Sequence, residues 1–142
     1  MGRAAACVLV ALTLTNCSHR FPFIGKWEGH RAMKGTPGAA PYILFTLNTI
    51  KLDVLPNGRF NLQDMGVPKQ GNITIFEDKA LLVVTHIAGK EVESQSTATQ
   101  ESIAKIELKV VSQDKIIYID PKALDPTPVD LKRIATEGAS RP

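Results

Sequence analysis

Ile50-Lys51-Leu52-Asp53-Val54-Leu55-Pro56-Asn57-Gly58-Arg59-Phe60-Asn61-Leu62 is the stretch that decides the fold. Ile50, Leu52 and Val54 alternate with Lys51 and Asp53, which gives a strand one apolar and one polar face. Asn57-Gly58 supplies the positive φ that tight hairpins need. Beyond it Phe60 and Leu62 resume the apolar face and Asn61 the polar one. The stretch therefore predicts an antiparallel hairpin with one side in a core.

Similar signals lie on both sides. Upstream, residues 23–29 read as a first strand with glycines, residues 31–41 as a Gly/Pro/Ala-rich loop, and residues 42–55 as strand-rich throughout. Downstream, residues 64–70 carry Gly66 and Pro68 and read as a connection. Residues 71–76 form a short strand with Ile73 and Ile75 in phase, Glu77-Asp78-Lys79 a polar turn, and residues 80–86 a buried strand around Leu81-Leu82-Val83-Val84. Residues 89–102 are polar and read as a long loop or hairpin end. In residues 103–112, Ile106, Leu108 and Val110 alternate with Lys105, Glu107 and Lys109. A turn over 112–115, a strand over 116–119 and a linker over 121–128 follow.

Residues 129–134 fit two descriptions. Thr127-Pro128-Val129-Asp130 matches a helix capping box with proline at the first helical position. Val129 and Leu131 alternating with Asp130 and Lys132 match a strand, and a closing strand is the preferred reading. About eight short strands without a long helical period predict an all-β fold: a small antiparallel up-and-down β-barrel. Closure also removes exposed sheet edges. Trp27, Ile50, Leu52, Val54, Phe60, Leu62, Ile73, Ile75, Leu108 and Val110 are expected to face one interior.

The first residues belong to a different part of the protein. Arg3 precedes an apolar run from Ala4 to Leu14, long enough for a signal-peptide core and too short for a membrane-spanning helix. Leu14-Thr15-Asn16-Cys17 then resembles the bacterial lipobox, with Asn16 where Gly, Ala or Ser is usual. The resemblance implies cleavage before Cys17 and acylation of Cys17, and two or three acyl chains anchor stably. The organisation expected is a signal peptide over 1–16, lipid anchor and tether over 17–22, barrel over 23–134 and tail over 135–142. With Cys7 removed and Cys17 acylated, the domain itself carries no thiol and no disulfide.

The order of motifs resembles small bacterial lipocalin-like lipoproteins. Gly25-Lys26-Trp27-Glu28-Gly29 is similar to their Gly-x-Trp opening strand, and Asp53 through Phe60 to their Asn/Asp-Gly-x-Phe hairpin. Gly71-Asn72-Ile73-Thr74 with Asp78-Lys79-Ala80-Leu81 resembles the next hairpin. Val129-Asp130-Leu131-Lys132-Arg133 resembles the terminal strand, where an arginine often packs near the tryptophan. There is no Thr-Asp-Tyr motif, and the chain is shorter than a typical lipocalin. The resemblance implies a fold and does not name a ligand.

Composition narrows function further. The 142 residues suit one domain, and the formal net charge of +3 is scattered, with Lys132-Arg133 the longest basic run after the N-terminal segment. That excludes a nucleic-acid surface, which needs clustered cations. Trp27, Tyr42 and Phe45 are the candidates for a wall contacting a small apolar ligand, although Trp27 reads first as a plug at the closed barrel end. His30 and His86, with Glu28 or Asp53, could approach a metal but lack ligand spacing, so no metal or cofactor is expected. No nucleophile elbow or phosphate loop occurs, so no enzyme is expected. Two classes remain: a membrane-anchored envelope lipoprotein binding a small apolar ligand in its barrel, and one with a filled barrel that contacts an envelope partner through its loops.

Overall fold

A computed structural model of the chain describes residues 22–32, 38, 40–93, 105–123 and 125–135. Cys7 and Cys17, with the expected signal segment and anchor and most of the expected tail, lie outside the described residues. The elements are β1 (Gly25–His30), α1 (Pro41–Asn48), β2 (Thr49–Val54), β3 (Arg59–Asp64), β4 (Val67–Phe76), β5 (Lys79–Ile87), β6 (Lys90–Glu91), β7 (Ile106–Ser112), β8 (Lys115–Ile119) and β9 (Val129–Ile134).

Each long strand pairs antiparallel with the next, and β9 returns to β1 through Lys26↔Ile134, Trp27↔Arg133 and Glu28↔Lys132. The result is a closed eight-stranded antiparallel barrel, with β6 a two-residue addition to β5. Residues 129–134 are thus the closing strand. Closure leaves no long unpaired edge among the barrel strands.

The hairpin that opened the sequence reading has the expected register, Leu52↔Leu62 and Val54↔Phe60, with all four side chains buried. Its turn is built differently from the expectation. Leu55 donates to Arg59 O at 2.9 Å, leaving Pro56-Asn57-Gly58 as a three-residue loop. Gly58 alone of the three takes positive φ, and the Asn57 side chain accepts from Arg59 N at 3.1 Å. This is the pattern of a turn closed by a left-handed glycine.

Several sequence expectations are corrected. Residues 41–48 are helical, not strand. Every position from Tyr42 to Phe45 is apolar or aromatic, so no period of two exists there to hold a strand face. Pro41 at the helix start and Ile43 and Leu44 N–H donating to Ala40 O set the first turn. The connection expected over 64–70 shrinks to Met65-Gly66, both at positive φ, as a two-residue hairpin turn requires, and β4 begins at Val67. β5 alternates: Ala80, Leu82 and Val84 are buried, while Val83 is exposed. The start of the 89–102 loop folds back as β6, and residues 94–104 lie outside the described residues.

Inside the barrel, Phe23, Trp27, Val54 and Phe60 pack near the end where the chain enters, and Ile50, Leu62, Ile106 and Tyr118 nearer the other. Ile73, Ile75 and Val110 face inward but remain partly exposed. The entry end carries the turns at 55–58, 77–78 and 113–114. The opposite end, the helix end, carries α1, the Met65-Gly66 turn and residues 120–123 and 125–128.

Arg133 closes the entry end. Its guanidinium lies 4.1 Å from the Trp27 ring centroid and donates to Ile24 O at 2.6 Å, Pro22 O at 2.8 Å and Gln113 O at 3.0 Å. The Trp27 indole N–H donates to Phe23 O at 2.7 Å, so the buried ring has its polar atom satisfied. Gly25 makes this arrangement possible: its φ is +130°, and a Cβ there would meet Arg133 Nη1 at 2.5 Å. The Gly-x-Trp pattern thus has a physical reason, since glycine clears the path by which arginine reaches tryptophan.

Candidate functional site

Polar chemistry concentrates at the helix end. Strand parity puts it there: Phe60, Leu62 and Asp64 share the inward face of β3, Ile116 and Tyr118 that of β8, and Lys69 and Gly71 that of β4. Arg31 follows β1 directly, and Asp120 follows β8. Five side chains that carry charge or a hydroxyl therefore meet where the apolar core ends.

Asp64 is the centre. Its Oδ2 accepts from Arg31 Nη2 at 2.9 Å and from the Tyr118 hydroxyl at 2.9 Å. Lys69 Nζ lies 3.8 Å from Asp64 Oδ2 and 3.7 Å from Asp120 Oδ2. The Arg31 and Asp64 side chains are each 4 % exposed, so this ion pair is shielded from water. Arg31 also sits over the Tyr118 ring, 5.6 Å from its centroid. Arg31 Nε, Asp64 Oδ1 and the neighbouring Asn48 Oδ1 are buried without a hydrogen-bond partner.

Burial, then the charges of Asp64 and Asp120, push the Tyr118 hydroxyl far above the usual tyrosine range. It stays protonated and acts as a hydrogen-bond donor, not as a base. Asp125, in the following loop, is held below the usual carboxylate range by hydrogen bonds from the Thr127 side chain and N–H. The cluster balances two cations, Arg31 and Lys69, against two carboxylates, Asp64 and Asp120. Its chemistry is that of a polar plug: it closes the core and fixes the chain at Arg31, directly after β1.

Helix α1 covers the same end from outside. None of its residues is buried; Tyr42 is 73 % and Phe45 61 % exposed, and Ile43 is exposed as well. Internal bonds hold it, with Thr46 Oγ1 donating to Tyr42 O at 3.0 Å and Thr49 Oγ1 to Phe45 O at 2.7 Å. His30 tilts against Phe45 at 5.2 Å and shares a hydrogen bond with Thr49 Oγ1 at 3.1 Å. The helix thus displays an apolar surface on a defined base.

The candidate ligand wall of Trp27, Tyr42 and Phe45 is not brought together. Trp27 is buried toward the entry end, while Tyr42 and Phe45 are exposed at the helix end. His30 and His86 are apart as well: His30 Nε2 is 3.7 Å from Glu28, and His86 Nε2 3.9 Å from Glu91. Among the described residues, no group of three or more His, Cys, Asp or Glu is placed to hold a metal. A groove of about 560 Å³ opens along β1 to β4, lined by the outward-facing Lys26, Lys51, Asp53, Asn61, Gln63 and Gln70 together with Trp27, Leu52, Leu62 and Lys69 of the inward face.

Sequence reading missed Arg31, Asp64, Lys69, Tyr118 and Asp120. A signal existed for two of them: continuing the Phe60, Leu62 alternation places Asp64 inward, and Ile116 places Tyr118 inward. For Arg31, in a Gly/Pro/Ala-rich segment, no periodicity was available. No protein-family model matches the chain, and no curated protein matches its sequence.

Proposed function

We propose that this protein is a bacterial cell-envelope lipoprotein, held by lipid on Cys17, whose barrel is a non-catalytic scaffold that presents α1 to an envelope protein. The observation that carries this reading is the opposition of the barrel ends. The chain enters at Pro22, beside Arg133 and Trp27, and the apolar α1 stands at the far end. The barrel interior between them is filled by Trp27, Phe60, Leu62, Leu108 and Tyr118 among others, which supports a scaffold over a ligand carrier. Among the described residues no helix is long and apolar enough to cross a membrane.

The partner's chemistry follows from the helix. Tyr42, Ile43 and Phe45 project apolar and aromatic groups from one short helix without a single charged residue. Such a helix fits an apolar groove on a protein, where aromatic anchors carry most of the binding.

Two expected results test the reading. Cys17→Ser should shift the protein from the membrane fraction to a soluble or uncleaved form, with loss of the acyl mass on the N-terminal peptide. Unchanged fractionation would refute the anchor. A photocrosslinking residue in place of Tyr42 should trap one discrete envelope protein, and Ile43→Ser with Phe45→Ser should abolish the product while leaving Tm within a few degrees. The same crosslinker in place of Asn61, on the outer barrel wall, should trap nothing discrete. Saturable binding of a fatty-acid probe that survives the α1 substitutions would point instead to a ligand held by the barrel.

A further inference from the structure

Among the described residues the entry end carries three exposed apolar side chains: Ile134, which ends β9 opposite Lys26, and two others beside hairpin turns. Phe76, at the end of β4, is 54 % exposed, and Val111, near the end of β7, is 51 % exposed. Each sits beside a hairpin turn, and both turns are fastened to the point where the chain enters. Val110 N–H donates to Asp78 O at 2.8 Å, joining the two turns. Arg133 joins the second turn to the entering chain, because the same guanidinium donates to Gln113 O and Pro22 O. Phe76, Val111 and Pro22 therefore belong to one rigid rim.

We infer that this rim rests on the bilayer surface, with Phe76 and Val111 at the headgroup boundary beside the anchor. The inference rests on the lipid-anchor reading above and adds an orientation to it. Four residues of chain separate Pro22 from Cys17, and the five steps between them reach at most about 18 Å when fully extended. The rim cannot move further than that from the lipid, so any affinity it has for the interface acts at high effective concentration. Apolar side chains at the headgroup boundary gain hydrophobic contact without having to cross the hydrocarbon.

The charges around the rim are of both signs: Lys79 pairs with Glu107 at 3.6 Å, Lys115 with Asp130 at 2.6 Å and Arg133 with Asp114 at 3.7 Å, and the carboxylates of Glu77 and Asp78 lie in the turn beside Phe76. Contact therefore depends on the apolar tips and not on anionic lipid. A second copy of the chain fits the rim poorly. The three exposed side chains supply on the order of 300 Å², against the roughly 800 Å² per partner of a stable interface. Seated this way, the six-residue β1 rises from the membrane and lifts α1 roughly 20 Å above it, toward the aqueous compartment.

The test uses the full, lipidated protein in phosphatidylethanolamine/phosphatidylglycerol vesicles. Val111→Cys is labelled with a nitroxide, and Thr46→Cys on α1 serves as the aqueous reference. The label at position 111 should be at least about fivefold less accessible to a water-soluble relaxation agent than the label at 46, and more accessible to oxygen, as at an interface. Phe76→Ser should restore aqueous accessibility at 111 while mass spectrometry still finds acylated Cys17. Equal accessibility at 111 and 46 on an acylated protein overturns the docked rim and leaves the anchor standing. Dipolar broadening between labels at 111 would mean that a second copy covers the rim, and also overturns it. If Cys17 carries no lipid, the anchor reading fails, and vesicle flotation of the same full chain decides the rim. Flotation lost on Phe76→Ser supports it, and no flotation of the parent chain removes it.

Discussion

Replacing Asp64 by alanine should destabilise the barrel by roughly 3–5 kcal/mol, read from chemical denaturation, the range typical when one partner of a buried ion pair is removed. The size of the effect comes from what is left behind. Arg31, with its side chain 4 % exposed, would keep its charge in a site closed to water. The Tyr118 hydroxyl, which donates to the same Asp64 oxygen at 2.9 Å, would lose its acceptor. Lys69 suffers less, because it is partly exposed and has Asp120 at 3.7 Å as a second carboxylate. Asp64→Asn should cost less than Asp64→Ala, since an amide oxygen can still accept from Tyr118. Combining Asp64→Leu with Arg31→Met should recover much of the loss, because removing both charges removes the unpaired one. A cost below about 1 kcal/mol for Asp64→Ala would mean that Arg31 reaches water and that the cluster does not close the core.

Phe60→Ala is the second large effect, expected at roughly 3–5 kcal/mol for truncation of a buried aromatic. Phe60 is buried opposite Val54 and pairs across β4 with Gly71. Gly71 shows how tight this place is. A Cβ there would collide with Val83 O and reach the Phe60 ring at 3.0 Å, so glycine is what lets the strands close over the ring. The ring cannot be replaced by a shift of Gly71, and a cavity remains. Asn61→Ala, one residue along on the outer face, should change stability by less than about 0.5 kcal/mol. Equal costs at positions 60 and 61 would require a hairpin register one residue away, which would reverse every face.

The contrast between these residues also marks where sequence reading works. Phe60 and Asn61 were assigned to opposite faces from alternation alone, and so were Ile50, Leu52, Val54 and Leu62, because a strand's side-chain period of two is a local property. The same holds for Ile106 and Leu108 and for the closing strand with Val129 and Leu131 buried. Alternation broke down in two kinds of place. One is α1, where apolar residues at successive positions carry no strand period and the last turn is held by Thr49 bonding back to Phe45 O. The other is the helix-end cluster: Arg31 falls in the expected 31–41 loop and Asp64 and Lys69 in the expected 64–70 connection, and Arg, Lys and Asp are buried only where the fold supplies a partner.

The amino-acid order by itself determined the faces of the long strands and the hairpin around Asn57-Gly58, because each rests on neighbours one or two residues apart, and the count of short strands without a long helical period pointed to the all-β class and the small antiparallel barrel. Only the tertiary structure decided that Arg31, Asp64 and Tyr118 meet, 33 and 54 residues apart as Asp64's partners. It also gave the contact of Arg133 with Trp27 that the resemblance implies, and placed Trp27 in the core apart from the exposed Tyr42 and Phe45. The physical reason is closure. Pairing β9 with β1 brings distant chain positions to the same end, and an ion pair survives burial only where closure supplies its partner.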